Sequence, residues 1–186
     1  MSLVVALSGS RDAVIGGDCR AITFFGPCPA LEADLYSGKI KTDQDLLARA
    51  KDMGASLQVS DGREKVRMHG DGVLVGEVTE ITPQLERRRR IYLTPGANLM
   101  VSITGSDARI ESKGKVGCVV LGNRFTQNLA ATLVSEAGGR VNEDLIKRIL
   151  LEAGDSTASV SKNHIVLKTY AKKPDPMTTL LEAFHE

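Results

Sequence analysis

Ser2 stands directly behind the initiator methionine and ahead of the apolar run 3–7. A second residue this small permits methionine aminopeptidase to remove Met1, and the mature chain then opens on a residue with both a hydroxyl and a free α-amine. An α-amine has a pKa near ~8, so it can take the hydroxyl proton directly or through a water. One residue then supplies nucleophile and base. The apolar run, with no polar leader, is expected to build the first residues into a core strand and so to hold that terminus in place. A serine at position 2 is common in itself, and the other chemistry-bearing residues have plain alternatives. Asp18 closes a strand-like run and reads equally as a turn residue, Lys65 as an exposed strand lysine, Arg20 as a surface arginine. Gly76 is a candidate oxyanion donor, because a tetrahedral intermediate needs a backbone N–H that no side chain crowds, or a glycine tolerated in a short strand. His69 and His164 sit beside turns. No Ser-His-Asp arrangement, metal-ligand cluster or phosphate loop is present, and Gly16-Gly17 lacks the spacing of a dinucleotide fingerprint.

Composition narrows the classes. The 186 residues suit one domain with a sizeable core, and 42% hydrophobic residues, 25% charged residues and a net charge of +1 are values of a globular chain. With no Trp and 4% aromatics there is no base-stacking platform, so nucleic acid is not an expected partner. Cys19, Cys28 and Cys118 are odd in number and share no CxxC spacing, which signals neither a disulfide framework nor a zinc site. A cytoplasmic location is expected, with no cofactor. The run 3–7 is too short for a signal peptide, and nothing approaches the ~20 apolar residues of a membrane span.

These residues must be positioned by an α+β body. Runs 3–7 and 12–17 read as a β-hairpin ending at Asp18. After the prolines at 27 and 29, residues 31–36 and 43–53 have helical spacing, with Thr42 or Asp43 as N-cap and Gly54 as C-terminal glycine. This predicts a helical insert over about 27–60. Strands are expected at 56–59, 65–69 and 72–78, the last two joined by Asp71-Gly72, a hairpin signal. Residues 86–90 form a charge run of the kind that lies on a solvated face. Strands then follow at 91–93, 99–104, 108–112 and 115–121. Helices are expected at 126–137 and 142–153, closed by Gly138 and Gly154, then strand over 158–170, broken by Lys162-Asn163, and a short helix at 177–185. The architecture predicted is two stacked sheets with a helical pair outside.

Several of these stretches resemble known sequences. "AVIGGDCRA", "REKVRMHGDGVLVGEV", and "VGCVVLGN" followed by two helices and "ASVSKNHIVLKTY" resemble successive parts of proteasome β-type subunits. More closely, "MSLVVALSGSRDAVIGGDCRAITFFG", "SDGREKVRMHGDGVLVGEV" and "RRRRIYLTPGANL" resemble the connectase family of methanogenic archaea, proteasome-like proteins that act as sequence-specific protein ligases. The resemblance covers most of residues 2–170. It implies a proteasome-like N-terminal nucleophile hydrolase fold in one domain over 1–186, with two stacked antiparallel sheets flanked by helices. It further implies that Ser2 is the nucleophile, that the Lys65 ammonium stands near it and lowers the pKa of its hydroxyl and amine, and that Asp18 holds Lys65. Arg20, two residues beyond Asp18 on the same strand face, is expected to support the carboxylate. Lys65 is expected to face a cleft, so that Lys65→Ala alters stability little.

The implied activity is cleavage after the Asp of a Lys-Asp-Pro-Gly-Ala motif and transfer of the acyl fragment from Ser2 to another N-terminus. By the same resemblance the protein partner is the A subunit of the methanogen methyltransferase complex; composition implies no nucleic acid and no membrane span, and the sequence leaves the oligomeric state open, with a monomer favoured. The insert, absent from ordinary proteasome subunits, is the expected peptide reader, and a short loop in place of about 28–58 is expected to leave the sheets intact. Two departures stand out. The nucleophile would be Ser where proteasome subunits use Thr, and the Ser-Gly-Gly run before their last strands is absent, with Ser159 and Ser161 in another context. A peptidase or amidohydrolase on the same site, or a non-catalytic binding module, are the alternatives.

Overall fold

The computed structural model describes residues 3–70, 72–82 and 85–185, and at 80–82, 85 and 86 the backbone only. The chain runs β1 (Val4–Ser8), β2 (Ala13–Asp18), β3 (Ala21–Phe24), α1 (Pro29–Tyr36), α2 (Asp43–Asp52), β4 (Leu57–Ser60), β5 (Val66–His69), β6 (Val73–Thr82), β7 (Leu85–Thr94), β8 (Ala97–Thr104), β9 (Asp107–Gly114), β10 (Gly117–Leu121), α3 (Arg124–Glu136), α4 (Glu143–Ser156), β11 (His164–Thr169) and α5 (Pro176–His185). One antiparallel sheet has the order β10-β1-β2-β11, a second is the meander β5 to β9, and β3 pairs with β4 in a separate ribbon.

Alternation along β1 and β2 builds the layers. Val4, Ala6, Ala13 and Ile15 point toward the second sheet, where they meet Val66, Leu74, Ile91 and Leu93. Leu3, Val5 and Val14 point the other way, onto Leu133, Ile146, Ile149 and Leu150 of the helical pair. Asn123 and Asn142 start those helices by accepting N–H bonds from Thr126 and Leu145. The neighbouring glycines of β2 serve opposite faces. A Cβ at Gly16 would lie 2.7 Å from Ile146 and from Leu150, and one at Gly17 would lie 2.9 Å from Val66 and 3.4 Å from the Lys65 Cβ. Gly16 thus admits α4, and Gly17 admits the start of β5. α5 covers the outer face of the second sheet with Leu180 and Ala183 against Val75, Leu99 and Val101.

The insert is a two-helix cap on the β3–β4 ribbon. Leu31, Leu35, Leu46 and Ala50 close its own small core around Ala158, and Thr42 forms a capping box with Asp45 at the start of α2.

The sequence reading needs four corrections. β3 was not expected as a strand; it forms because Ala21–Phe24 pairs with Leu57–Ser60 across the whole insert. Residues 86–90 lie inside β7, with 87–90 paired on both sides, and arginine charges are met across the sheet: Arg90 with Glu77 at 2.7 Å, Arg87 and Arg89 with Glu111. The strand expected over 158–170 is only His164–Thr169, preceded by a buried loop. Gly154 does not end α4, which continues to Ser156. A Cβ there would stand 2.9 Å from the Ser161 carbonyl oxygen, so this glycine makes room for that loop. No helix among the described residues is long and apolar enough to cross a membrane.

Candidate active site

Asp18 ends β2 with no exposed surface. One carboxylate oxygen, Oδ1, accepts the Leu3 N–H at 2.8 Å; Oδ2 accepts the N–H groups of Arg20 at 2.9 Å and Ser161 at 3.3 Å. The Asp18 N–H donates in turn to the Leu3 carbonyl at 3.1 Å. With these donors the buried carboxylate has both oxygens hydrogen-bonded. It ties the residue before β1 to the end of β2 and to the loop before β11.

Lys65 completes the cluster. Its Nζ stands 2.7 Å from Asp18 Oδ1, and its side chain is 2% exposed. Burial lowers its pKa to about 8, against the opposing pull of Asp18. The two groups form a buried ion pair, which opposes the effect of burial on the lysine. The expectation that Lys65 faces a cleft is corrected: the side chain is enclosed. Ser2, the expected nucleophile, lies outside the described residues, as does Met1. Leu3, to which Ser2 is bonded, is fixed by Asp18.

Arg20 is placed differently from the expectation. It lies beyond the end of β2, and its bond to the Asp18 carboxylate is made by its backbone N–H. The guanidinium is bidentate to Asp61, at 2.8 and 2.9 Å, reaches both carboxylate oxygens of Asp43, and donates to the Ala158 carbonyl at 2.8 Å. These bonds raise the arginine pKa and hold the Asp61 carboxyl below its usual range. Asp43 is the first residue of α2 and Asp61 follows β4. Arg20 therefore fastens the insert to the body two residues along the chain from Asp18.

Gly76 is also corrected. Glu77 N–H donates to the Lys65 carbonyl at 2.9 Å, so the Gly76 N–H, one residue back on an extended strand, points to the opposite side, toward its β7 partner Ile91. That N–H belongs to the sheet. A Cβ at 76 would meet Ile15 at 2.6 Å and Val4 at 2.8 Å, so the glycine is required by the sheet-to-sheet spacing and not by substrate.

Sequence reasoning missed Ser161, Asp43 and Asp61. Ser161 gives its N–H to Asp18 and its hydroxyl oxygen to the Cys19 N–H at 3.0 Å, while donating to the Asn163 carbonyl at 2.6 Å. Thr157 and Ser159 are buried beside it and bonded to each other, and the Ser159 hydroxyl oxygen accepts from the Asn123 amide. The signal was the run of small hydroxyl residues at 156–161, more than a half-buried strand needs. Cys19 is buried, and burial followed by Asp18 pushes its thiol pKa up, against a role as thiolate. Among the described residues no group of three or more His, Cys, Asp or Glu side chains is placed to hold a metal ion.

A family model described as "Connectase MJ0548-like, N-terminal domain" matches residues 1–186. No curated protein matches the chain in sequence. Among solved structures, HslV of Trypanosoma brucei aligns with a TM-score of 0.51 at 12% identity, over 91% of this chain and 99% of that one. BPH of Thiobacillus denitrificans, solved in complex with epoxomicin, aligns with a TM-score of 0.51 at 10% identity, over 92% of this chain and all of that one. At such identities the likeness is one of fold: a proteasome-like N-terminal nucleophile hydrolase fold.

Proposed function

The chain belongs to the connectase family, and from that premise we propose that it is an N-terminal nucleophile enzyme of peptidase or ligase type, a transpeptidase acting through Ser2. The observation that carries this reading is the shared carboxylate: Asp18 Oδ1 holds both the Leu3 N–H and Lys65, so the backbone next to Ser2 and a buried cation are fixed by one group. A buried ammonium stabilises negative charge developing nearby more than it would in water.

In the proposed sequence the α-amine of Ser2, freed by loss of Met1, takes the hydroxyl proton as Oγ bonds to the substrate carbonyl carbon. The tetrahedral intermediate collapses, the carbon–nitrogen bond breaks, and the amine returns that proton to the leaving N-terminus. The ester left on Oγ can move to the α-amine through a five-membered ring, giving an amide that resists water. Return to Oγ and attack by an incoming amine release the joined product. Asp18 and Lys65 act throughout by charge and position, and Arg20 as a positioning residue. The substrate proposed is a Lys-Asp-Pro-Gly-Ala peptide within a protein partner.

The test is intact mass. The purified protein should lack Met1, and incubation with the peptide should add the mass of the N-terminal fragment; a second peptide with a free N-terminus should then remove that mass as ligated product. An adduct released only as free acid points to the peptidase, and a mature Ser2 protein that forms no adduct with any acyl donor overturns the enzyme reading.

A further inference from the structure

A cleft of about 640 Å³ opens beside this cluster, lined by Tyr36 of the insert, Val78 and Arg89 of the second sheet, and Gly122, Asn123, Arg124 and Gln127 at the start of α3. Its position follows from register. Leu121 pairs with Val4, so Gly122 and Asn123 continue past the N-terminal end of β1, where Leu3 is bonded to Asp18. Asn123 also reaches the Ser159 hydroxyl at 3.2 Å, on the loop whose Ser161 donates to Asp18. The cleft is therefore joined to the Asp18 cluster in two ways, by the β10–β1 pairing and by the bond from Asn123 to the 157–161 loop.

The lining has a definite charge. Among the described residues it contains two guanidinium groups and no carboxylate. Arg124 is exposed and has no ion-pair partner among them. Arg89 is bonded to Glu111, at 3.1 and 3.2 Å, and Glu111 also holds Arg87, so that among the described residues one carboxylate faces two arginines. Of the lining amides, Asn123 Oδ1 is taken by the Thr126 N–H and the Gln127 amide donates to the Gly122 carbonyl, while Asn128, which also lines the cleft, is exposed and adds a neutral donor and acceptor.

We propose that this cleft receives an acidic side chain of the peptide substrate, read by Arg124 at the mouth with Arg89 behind it. The assignment rests on the reading of the neighbouring cluster as a peptide site. A guanidinium matches a carboxylate with two parallel N–H bonds, a geometry that an amide of equal size cannot answer with charge. Tyr36 brings the insert into the same wall, so the insert shapes the pocket while the body supplies the cations.

The test separates recognition from chemistry. Full-length protein carrying Ser2→Ala, which forms no adduct, is titrated with a fluorescein-labelled Lys-Asp-Pro-Gly-Ala peptide and with its Lys-Asn-Pro-Gly-Ala counterpart, and anisotropy gives the affinity ratio. The acidic peptide should bind at least tenfold tighter, with the ratio narrowing at high salt. Arg124→Ala, a surface change that the fold tolerates, should bring the ratio below threefold, and Arg124→Glu should reverse the preference. An unchanged ratio in both Arg124 variants, or equal binding of the two peptides by the parent protein, overturns the assignment. Were Ser2 inert in the mass experiment, the enzyme reading would fall, and this ratio would still decide what the cleft binds.

Discussion

Asp18 gathers three backbone N–H groups and one ammonium in a space closed to water, so it carries most of the site's electrostatics. Two predictions belong to this scale. Lys65→Ala removes the cation and leaves the carboxylate buried, and breaking a buried pair from one side costs about 3–5 kcal/mol. Denaturant unfolding should show a loss of that order, softened by the backbone donors, and adduct formation by the protein that remains folded should drop more than tenfold. Unchanged stability would mean that the pair is open to solvent. The second prediction concerns pH. The rate should rise as the α-amine loses its proton near ~8 and fall as Lys65, held to about 8 by burial, gives up the charge that favours the oxyanion. The rising and falling limbs then overlap, so the profile should be a narrow bell rather than a plateau, with apparent values that belong to the pair of groups. A rate still climbing well above pH 9 would remove the ammonium from the mechanism. Of these residues Asp18 and Lys65 were legible through motifs on single strands. Arg20's partners were not, because Asp43 and Asp61 lie 23 and 41 positions away and meet it only when the insert folds back.

The helices and strands that hold these residues were legible wherever one face is apolar and the ends are capped: α2 with Thr42, α3 with Asn123, α4 with Asn142. They were illegible where pairing partners are distant, as in β3, or where charge hides a strand, as in β7, whose arginines are met by Glu77 on the adjacent β6 and by Glu111 on β9, one strand further away. The insert's boundary changes in consequence. Replacing 28–58 by a loop would remove Leu57 and Gln58, the partners of Phe24 and Thr23, and also Asp43, so the ribbon and the Arg20 clamp would go together. A gentler cut is Asp43→Ala. That side chain is 55% exposed, so the fold should lose little, about 1 kcal/mol for a partly solvated pair. Arg20 keeps Asp61 and the Ala158 carbonyl, while the start of α2 is released. The expected result is weaker peptide binding, faster amide exchange in α2 and an unaltered reaction with a small acylating probe. A probe rate that falls in step with peptide affinity would mean that the clamp acts on Asp18 itself.

Across the whole molecule, three layers are kept at fixed spacing by glycines whose missing side chains are filled from the facing layer. Gly16 admits α4, Gly17 admits Val66 and the stem of Lys65, and Gly76 admits Ile15 and Val4. The stacked sheets and the outer helices could be read from alternation and helical period. The reason for Gly76 could not, because a strand sequence does not say which side chain from the other sheet will occupy the gap. The spacing supports a last prediction. Gly76→Ala puts a methyl group 2.6 Å from Ile15 Cδ1 and 2.8 Å from Val4 Cγ1, an overpacking that costs ~1–3 kcal/mol. Ile15→Val deletes the Cδ1 atom and alone costs ~0.5–1.5 kcal/mol for a fully buried isoleucine. If the two contacts set the sheet separation, the double variant should be more stable than the sum of the single losses allows, since the shortened side chain at position 15 vacates part of the volume that the new methyl group at position 76 takes. The cycle is measured by denaturant unfolding of the four proteins. Strict additivity would show that the sheets have simply moved apart around the added methyl group. Lys65 would then shift away from Asp18 as well, because β5 pairs directly with β6 at Val66 and Gly76. That second outcome carries its own signature, a peptide adduct rate that falls in Gly76→Ala and is not restored by Ile15→Val.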